Sequence, residues 1–185
     1  MSIGYMFFKL MRNMKVNKII ALVLSTALVF GFITAVNAES ENNKNTEFNL
    51  YAGKFDFSDH SKNSNLFGIE HESQELFRNT FLGKISPITG GFITGAGAAY
   101  LYTGIQAQYE LGPINFTPSF TPGYYSQGDG KDLGSLLQFK SEVQLSLDLF
   151  DNSSLGMSYN HISNASLGDV NPGANSYMFN FLQKF

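Results

Sequence analysis

Cysteine and tryptophan are absent from this chain of 185 residues, and proline and histidine are scarce. Without cysteine there is no disulfide, no thiolate nucleophile and no thiolate-ligated metal. His60, His71 and His161 lack metal-ligand spacing with one another, so neither a metal site nor a cofactor is expected. Past residue 38, no apolar run approaches the ~20 residues of a membrane-spanning helix. The net charge is −3, which provides no electrostatic case for nucleic acid.

The first 38 residues differ from the rest. Lys9, Arg12, Lys15 and Lys18 are their only charges, and an apolar run follows from Ile19 to Val36. The run ends in Val36-Asn37-Ala38, with polar residues from Glu39 to Glu47 beyond it. This is the layout of a cleavable secretory signal peptide, with an uncleaved anchor as the alternative and Met14 as a possible true start. Losing four cations and no acid takes the net charge from −3 to −7. The reading is therefore a signal peptide at 1–38 and one domain at 39–185. If that domain is integral to a membrane it must be a closed β-barrel, since only helices and barrels satisfy every backbone group in lipid.

Alternation supports a barrel. Leu137, Phe139, Ser141, Val143, Leu145, Leu147 and Leu149 form one face, and Gln138, Lys140, Glu142, Gln144, Ser146 and Asp148 the other. This period of two runs long enough to cross a bilayer as a tilted strand, whereas a strand of a soluble sandwich is about 5–6 residues. Near the end, Tyr177, Phe179, Phe181 and Phe185 share a face, and the chain stops on Phe185. That ending resembles the recognition signal of bacterial outer-membrane barrels.

Eight strands are expected, over roughly 48–57, 65–77, 80–92, 97–111, 114–125, 134–150, 153–165 and 174–185. Tight turns are expected at Arg78-Asn79, Gly112-Pro113 and Asp151-Asn152, alternating with longer polar loops. Short periplasmic turns and long outer loops are the asymmetry of outer-membrane barrels. Pro87, Pro118 and Pro122 fall inside strands and lack a ladder donor. Gln106, Gln108, Glu110, Lys140 and Glu142 read as lumen-filling residues of a barrel too narrow for a wide pore. The fold class is thus all-β, an eight-stranded antiparallel transmembrane β-barrel behind a cleavable signal peptide.

Polar residues interrupt the outward face at one place. His161 and Ser163 are two apart, in phase with Leu155, Met157 and Tyr159. Asn175 is in phase with Tyr177, Phe179 and Phe181 on the next strand. With both termini periplasmic, all three lie at the outer end, facing the leaflet that holds lipopolysaccharide. A His that takes the proton of a Ser hydroxyl makes that hydroxyl a nucleophile toward esters.

His161-Ile162-Ser163-Asn164-Ala165 followed by Asn171-Pro172-Gly173 resembles the C-terminal signature of the PagL lipid A 3-O-deacylases. The resemblance is sharp over 159–185, looser over 130–134 and the sixth strand, and architectural before that. It implies an eight-stranded barrel with a Ser-His-acid triad on its outer face, acting on the acyl ester at position 3 of lipid A. By the same resemblance His161 is the base, Ser163 the nucleophile, and Asn164 or Asn171 an oxyanion donor. The implied partners are lipid A and the outer membrane, with the protein a monomer or homodimer.

Asn175 stands where the family pattern has Glu. Exchanging a triad acid for its amide can cost about 10⁴ in rate, because the wrong imidazole tautomer is favoured. Asp169, in the loop, is the other acid at hand, with no parity argument for it. Two readings therefore stay open, an esterase and a non-enzymatic or inactive barrel with a structural or adhesion role. A periplasmic lipocalin-like carrier is a third, opposed by the outward apolar faces and Phe185.

Overall fold

The computed structural model describes residues 46–73, 78–80 and 83–185, and the expected signal peptide at 1–38 lies outside them. The strands are β1 (Thr46–Phe55), β2 (Ser64–Ser73), β3 (Arg78–Thr80), β4 (Gly83–Thr94) and β5 (Ala99–Leu111). They continue with β6 (Ile114–Ser126), β7 (Leu137–Phe150), β8 (Ser153–Ser163) and β9 (Ala174–Lys184). Every pairing is antiparallel, and β1 pairs with both β2 and β9 while β2 also pairs with β4. That last pairing closes the sheet. β2 and β3 lie one after the other along β4, so nine segments occupy eight positions of the ring.

Alternation decides where each side chain goes. In β7, Val143, Leu145, Leu147 and Leu149 are exposed on the outer wall, whereas Gln138, Lys140, Glu142, Gln144 and Ser146 are buried in the lumen. A soluble protein would reverse these faces. The greasy belt continues through Leu50, Phe67, Ile93, Leu101, Phe120, Met157, Phe179 and Phe181, all exposed. Only a lipid surround makes that arrangement favourable.

The lumen is filled in two layers. Toward the long-loop end, Phe55, Leu66, Phe92, Tyr100, Tyr125, Leu133, Ile162 and Ala174 form an apolar plug. Below it the filling is polar. Lys140 Nζ lies 3.1 Å from Glu142 and 3.7 Å from Glu70, and 4.1 Å from the centre of the Tyr102 ring. Tyr102 donates to Glu70 at 2.8 Å, and Asn160 donates to Glu142 at 3.1 Å. Burying these charges is tolerable only because each has an opposite partner and further hydrogen bonds.

Two local expectations are corrected. Arg78 and Asn79 form no tight turn; both belong to β3, and the reversal falls between Thr80 and Gly83. Gly83 has φ +94°, which a glycine adopts without a Cβ penalty, and Thr80 Oγ1 donates to its carbonyl at 3.1 Å. The first strand stops at Phe55 instead of reaching residue 57, because Asp56 turns the chain with φ +50°. The prolines are accommodated by local loss of pairing. The β5–β6 register skips Thr117-Pro118 and Thr121-Pro122, while the β6–β7 register runs through both. The missing donors face β5, and Tyr100 donates its hydroxyl to the Thr121 carbonyl at 2.8 Å.

Two stability outcomes are expected. Leu145→Arg, on the outer wall near the middle of β7, should lower the unfolding free energy in lipid vesicles by about 2–4 kcal/mol. Lys140→Ala, which strands Glu70 and Glu142 in the lumen, should cost about 3–5 kcal/mol, both values being read from urea titrations of the protein in vesicles.

Candidate active site

β8 and β9 run side by side with His161 paired opposite Asn175. Their immediate neighbours Ile162 and Ala174 are wholly buried in the lumen plug. Driving those two residues inward forces His161, Ser163 and Asn175 outward, because neighbouring strand residues take opposite faces. His161 is exposed, and Ser163 and Asn175 are half-buried.

The imidazole is held from β9. His161 Nδ1 is 2.8 Å from Asn175 Oδ1, which also accepts the Tyr159 hydroxyl at 2.9 Å. A carbonyl oxygen can only accept, so this contact requires the tautomer with its proton on Nδ1, in which Nε2 is the free acceptor. Ser163 stands two residues further along the same face, paired opposite Phe139, without a hydrogen bond to the ring. Such contacts commonly tighten only when substrate is bound. Gly173, with φ +62°, closes over the other side of the ring. A Cβ there would meet His161 Cε1 at 2.8 Å and Nε2 at 3.3 Å.

The two remaining asparagines divide in role. Asn164 is buried, and its amide donates to the carbonyls of Leu133 at 2.8 Å and Val170 at 2.7 Å. Both amide hydrogens are thereby occupied in pinning the 164–173 loop to the 126–137 loop. Its backbone N–H is taken too, by Asn171 Oδ1 at 3.1 Å. Asn171 is exposed, and with Oδ1 so engaged its Nδ2 is the amide end directed elsewhere. Asp169 is exposed in the loop, and the place beside Nδ1 is held by Asn175.

Several neighbours carry no signal in the sequence. Phe57 N donates to the Asn175 carbonyl at 3.0 Å, docking the 56–63 loop on β9. Asp56 is buried and accepts from Asn175 N at 3.4 Å, while Lys131 Nζ lies 2.7 Å from its other oxygen. Ser58 Oγ stands 3.5 Å from Asp56 Oδ1 and 3.4 Å from Asn175 Nδ2. Asp59, 3.6 Å from Lys131, receives the Ser61 hydroxyl and N–H, which hold its carboxyl below the ordinary range. Only Tyr159 was in reach of parity, as a member of the outward face. Loop residues obey no period.

Gly173→Ala is expected to displace the imidazole and to destabilise the barrel by about 1–2 kcal/mol, since it adds a left-handed alanine to the clash. Thermal unfolding in detergent and the His161 side-chain NMR signals check both effects.

Comparison with known proteins agrees with this architecture. The crystal structure of the outer membrane enzyme PagL superposes with TM-score 0.56 at 21% identity, covering 74% of this chain and 98% of that one. A de novo designed transmembrane β-barrel gives 0.52 at 9% identity, covering 80% of this chain and all of the design. Neisserial surface protein A gives 0.50 at 9% identity, with the same coverage of each chain. These likenesses show a shared fold. No curated protein matches the sequence. The family model for lipid A 3-O-deacylase (PagL) matches residues 46–182, the barrel from its first strand almost to its last residue. The chain is an outer-membrane β-barrel protein and belongs to the PagL family.

Proposed function

We propose that this protein hydrolyses the ester joining the acyl chain to position 3 of lipid A, in the outer leaflet, after a signal peptide at residues 1–38 has directed its export. The observation that carries the reading is the 2.8 Å contact of His161 Nδ1 with Asn175 Oδ1, on the lipid-facing wall at the long-loop end. Such polar groups are disfavoured against lipid unless they serve a purpose there. Family membership supports the substrate class.

In this reading Ser163 Oγ attacks the ester carbonyl carbon as its proton passes to His161 Nε2. The tetrahedral oxyanion is met by donors that include Asn171 Nδ2, and stabilisation of this kind often lowers the barrier to acyl transfer more than any other single effect. Asn164 serves the site by holding the loop that presents Asn171. Collapse expels the glucosamine oxygen, which takes the proton from His161 and leaves an acyl-Ser163. Water, deprotonated by His161, then releases the fatty acid and restores the serine. All the side chains come from one chain, so the chemistry needs no second copy.

The second reading is a barrel without catalytic activity, and the neutral Asn175 favours it. An amide does not stabilise an imidazolium as a carboxylate does. Mass spectrometry of lipid A from cells expressing the wild type, Ser163→Ala and Asn175→Glu separates the two. Loss of one ester-linked 3-hydroxyacyl chain in wild type, absent in Ser163→Ala, is the expected result. Deacylation only in Asn175→Glu would mean a scaffold that has lost its orienting acid. Unchanged lipid A in all three, with folded protein in the membrane, would establish the non-catalytic reading.

A further inference from the structure

An asparagine beside a catalytic histidine has a right and a wrong way round. With Oδ1 on Nδ1 the imidazole keeps its proton on Nδ1 and presents a basic Nε2. With Nδ2 there instead, the proton moves to Nε2 and the base is lost. Oxygen and nitrogen of a carboxamide have nearly the same size and shape, so packing alone does not choose between them. The choice falls to whatever bonds the other end.

In this protein that end faces the 56–63 loop. Asn175 Nδ2 points to Ser58 Oγ at 3.4 Å, and Ser58 Oγ points to Asp56 Oδ1 at 3.5 Å. A hydroxyl can donate or accept, but an ionised carboxylate only accepts. Asp56 therefore claims the Ser58 proton, and Ser58 is left to offer a lone pair to Asn175. Only the amide nitrogen can use a lone pair. At the opposite end Tyr159 donates its hydroxyl to Oδ1 at 2.9 Å, reinforcing the same orientation.

The anchor of this relay is itself fixed. Asp56 is wholly buried, and its second oxygen is 2.7 Å from Lys131 Nζ, an ion pair that fixes the carboxylate in place. Two further bonds lock the loop in place: Phe57 N donates to the Asn175 carbonyl at 3.0 Å, and Asn175 N to the Asp56 carboxylate Oδ1 at 3.4 Å. The two side-chain links through Ser58 are long, and their role is to select an orientation, not to supply much energy. A difference of 1.4 kcal/mol between the two orientations already sets them at about ten to one.

We propose that Asp56, acting through Ser58 and aided by Tyr159, holds the Asn175 amide with its oxygen on His161, so that an amide orients the imidazole where the family pattern has an acid. Asp56, Ser58 and Tyr159 are positioning residues in this scheme. The proposal rests on the reading of His161 as the base of an esterase.

The experiment compares Ser58→Ala/Tyr159→Phe in two backgrounds, Asn175 and Asn175→Asp, using purified barrels whose folding is verified by heat-modifiable migration. Aspartate has two acceptor oxygens and no wrong face, so its background should not need the relay. Turnover of lipid A is expected to fall by about tenfold or more in kcat, with KM little changed, in the Asn175 background. In the Asn175→Asp background the same pair of changes should alter kcat by less than about threefold. Equal losses in both backgrounds would overturn the proposal, because a merely structural role does not distinguish amide from carboxylate.

Nitrogen-15 NMR of the His161 ring in micelles reads the tautomer without reference to activity. The Nδ1–H form in the wild type, giving way to Nε2–H in Ser58→Ala/Tyr159→Phe, supports the relay even if no lipid is cleaved, in which case the deacylase reading alone fails. The Nε2–H form in the wild type overturns the relay.

Discussion

Closure of the sheet through the β2–β4 pairing is the constraint on which the rest depends. A closed antiparallel ring has no free edge, so ladder groups are satisfied within the wall except where prolines interrupt it, and lipid can surround it. It also leaves each strand residue two destinations, lumen or lipid. Lys140 and Glu142 go inward and pair, and Val143 and Leu145 go outward into the hydrocarbon. The candidate site follows from the same rule. Ile162 and Ala174 fill the plug, and their neighbours His161, Ser163 and Asn175 are turned out to the membrane.

The wall and the loops contribute different things to that site. The β8–β9 ladder sets His161 opposite Asn175 with the rigidity of backbone hydrogen bonds on both sides. The loops supply polarity where the barrel ends: Asp56 with Lys131, Ser58, and the asparagines of 164–171. Asn164 links two loops by its amide, and Phe57 ties a third to β9. An ester in the outer leaflet would thus meet a rigid pair of strands framed by hydrogen-bonded loops. Oxyanion stabilisation depends on preorganisation of this kind, since donors that must first reorient contribute less.

Much of the architecture was legible before the structure. The seven alternating residues from Leu137 to Leu149 announced a membrane strand, and the tight turns at Gly112-Pro113 and Asp151-Asn152 fell where expected. The failures were local and had local causes. Arg78-Asn79 looked like a turn by composition, yet the reversal went to Gly83, whose φ is open only to glycine at low cost. β1 ended two residues early because Asp56, bound to Lys131, bends the chain.

The sequence by itself determined the class of wall, the parity of the last three strands, and the outward grouping of His161, Ser163 and Asn175. These depend on a period of two, which is written directly in residue order. Only the tertiary structure decided which end of the Asn175 amide faces His161, which asparagine has spent its hydrogens on the loops, and that Asp56 and Ser58 stand beside Asn175. The contacts of Asp56 and Ser58 with Asn175 join residues more than a hundred positions apart, through a loop with no period and a ring that must first close.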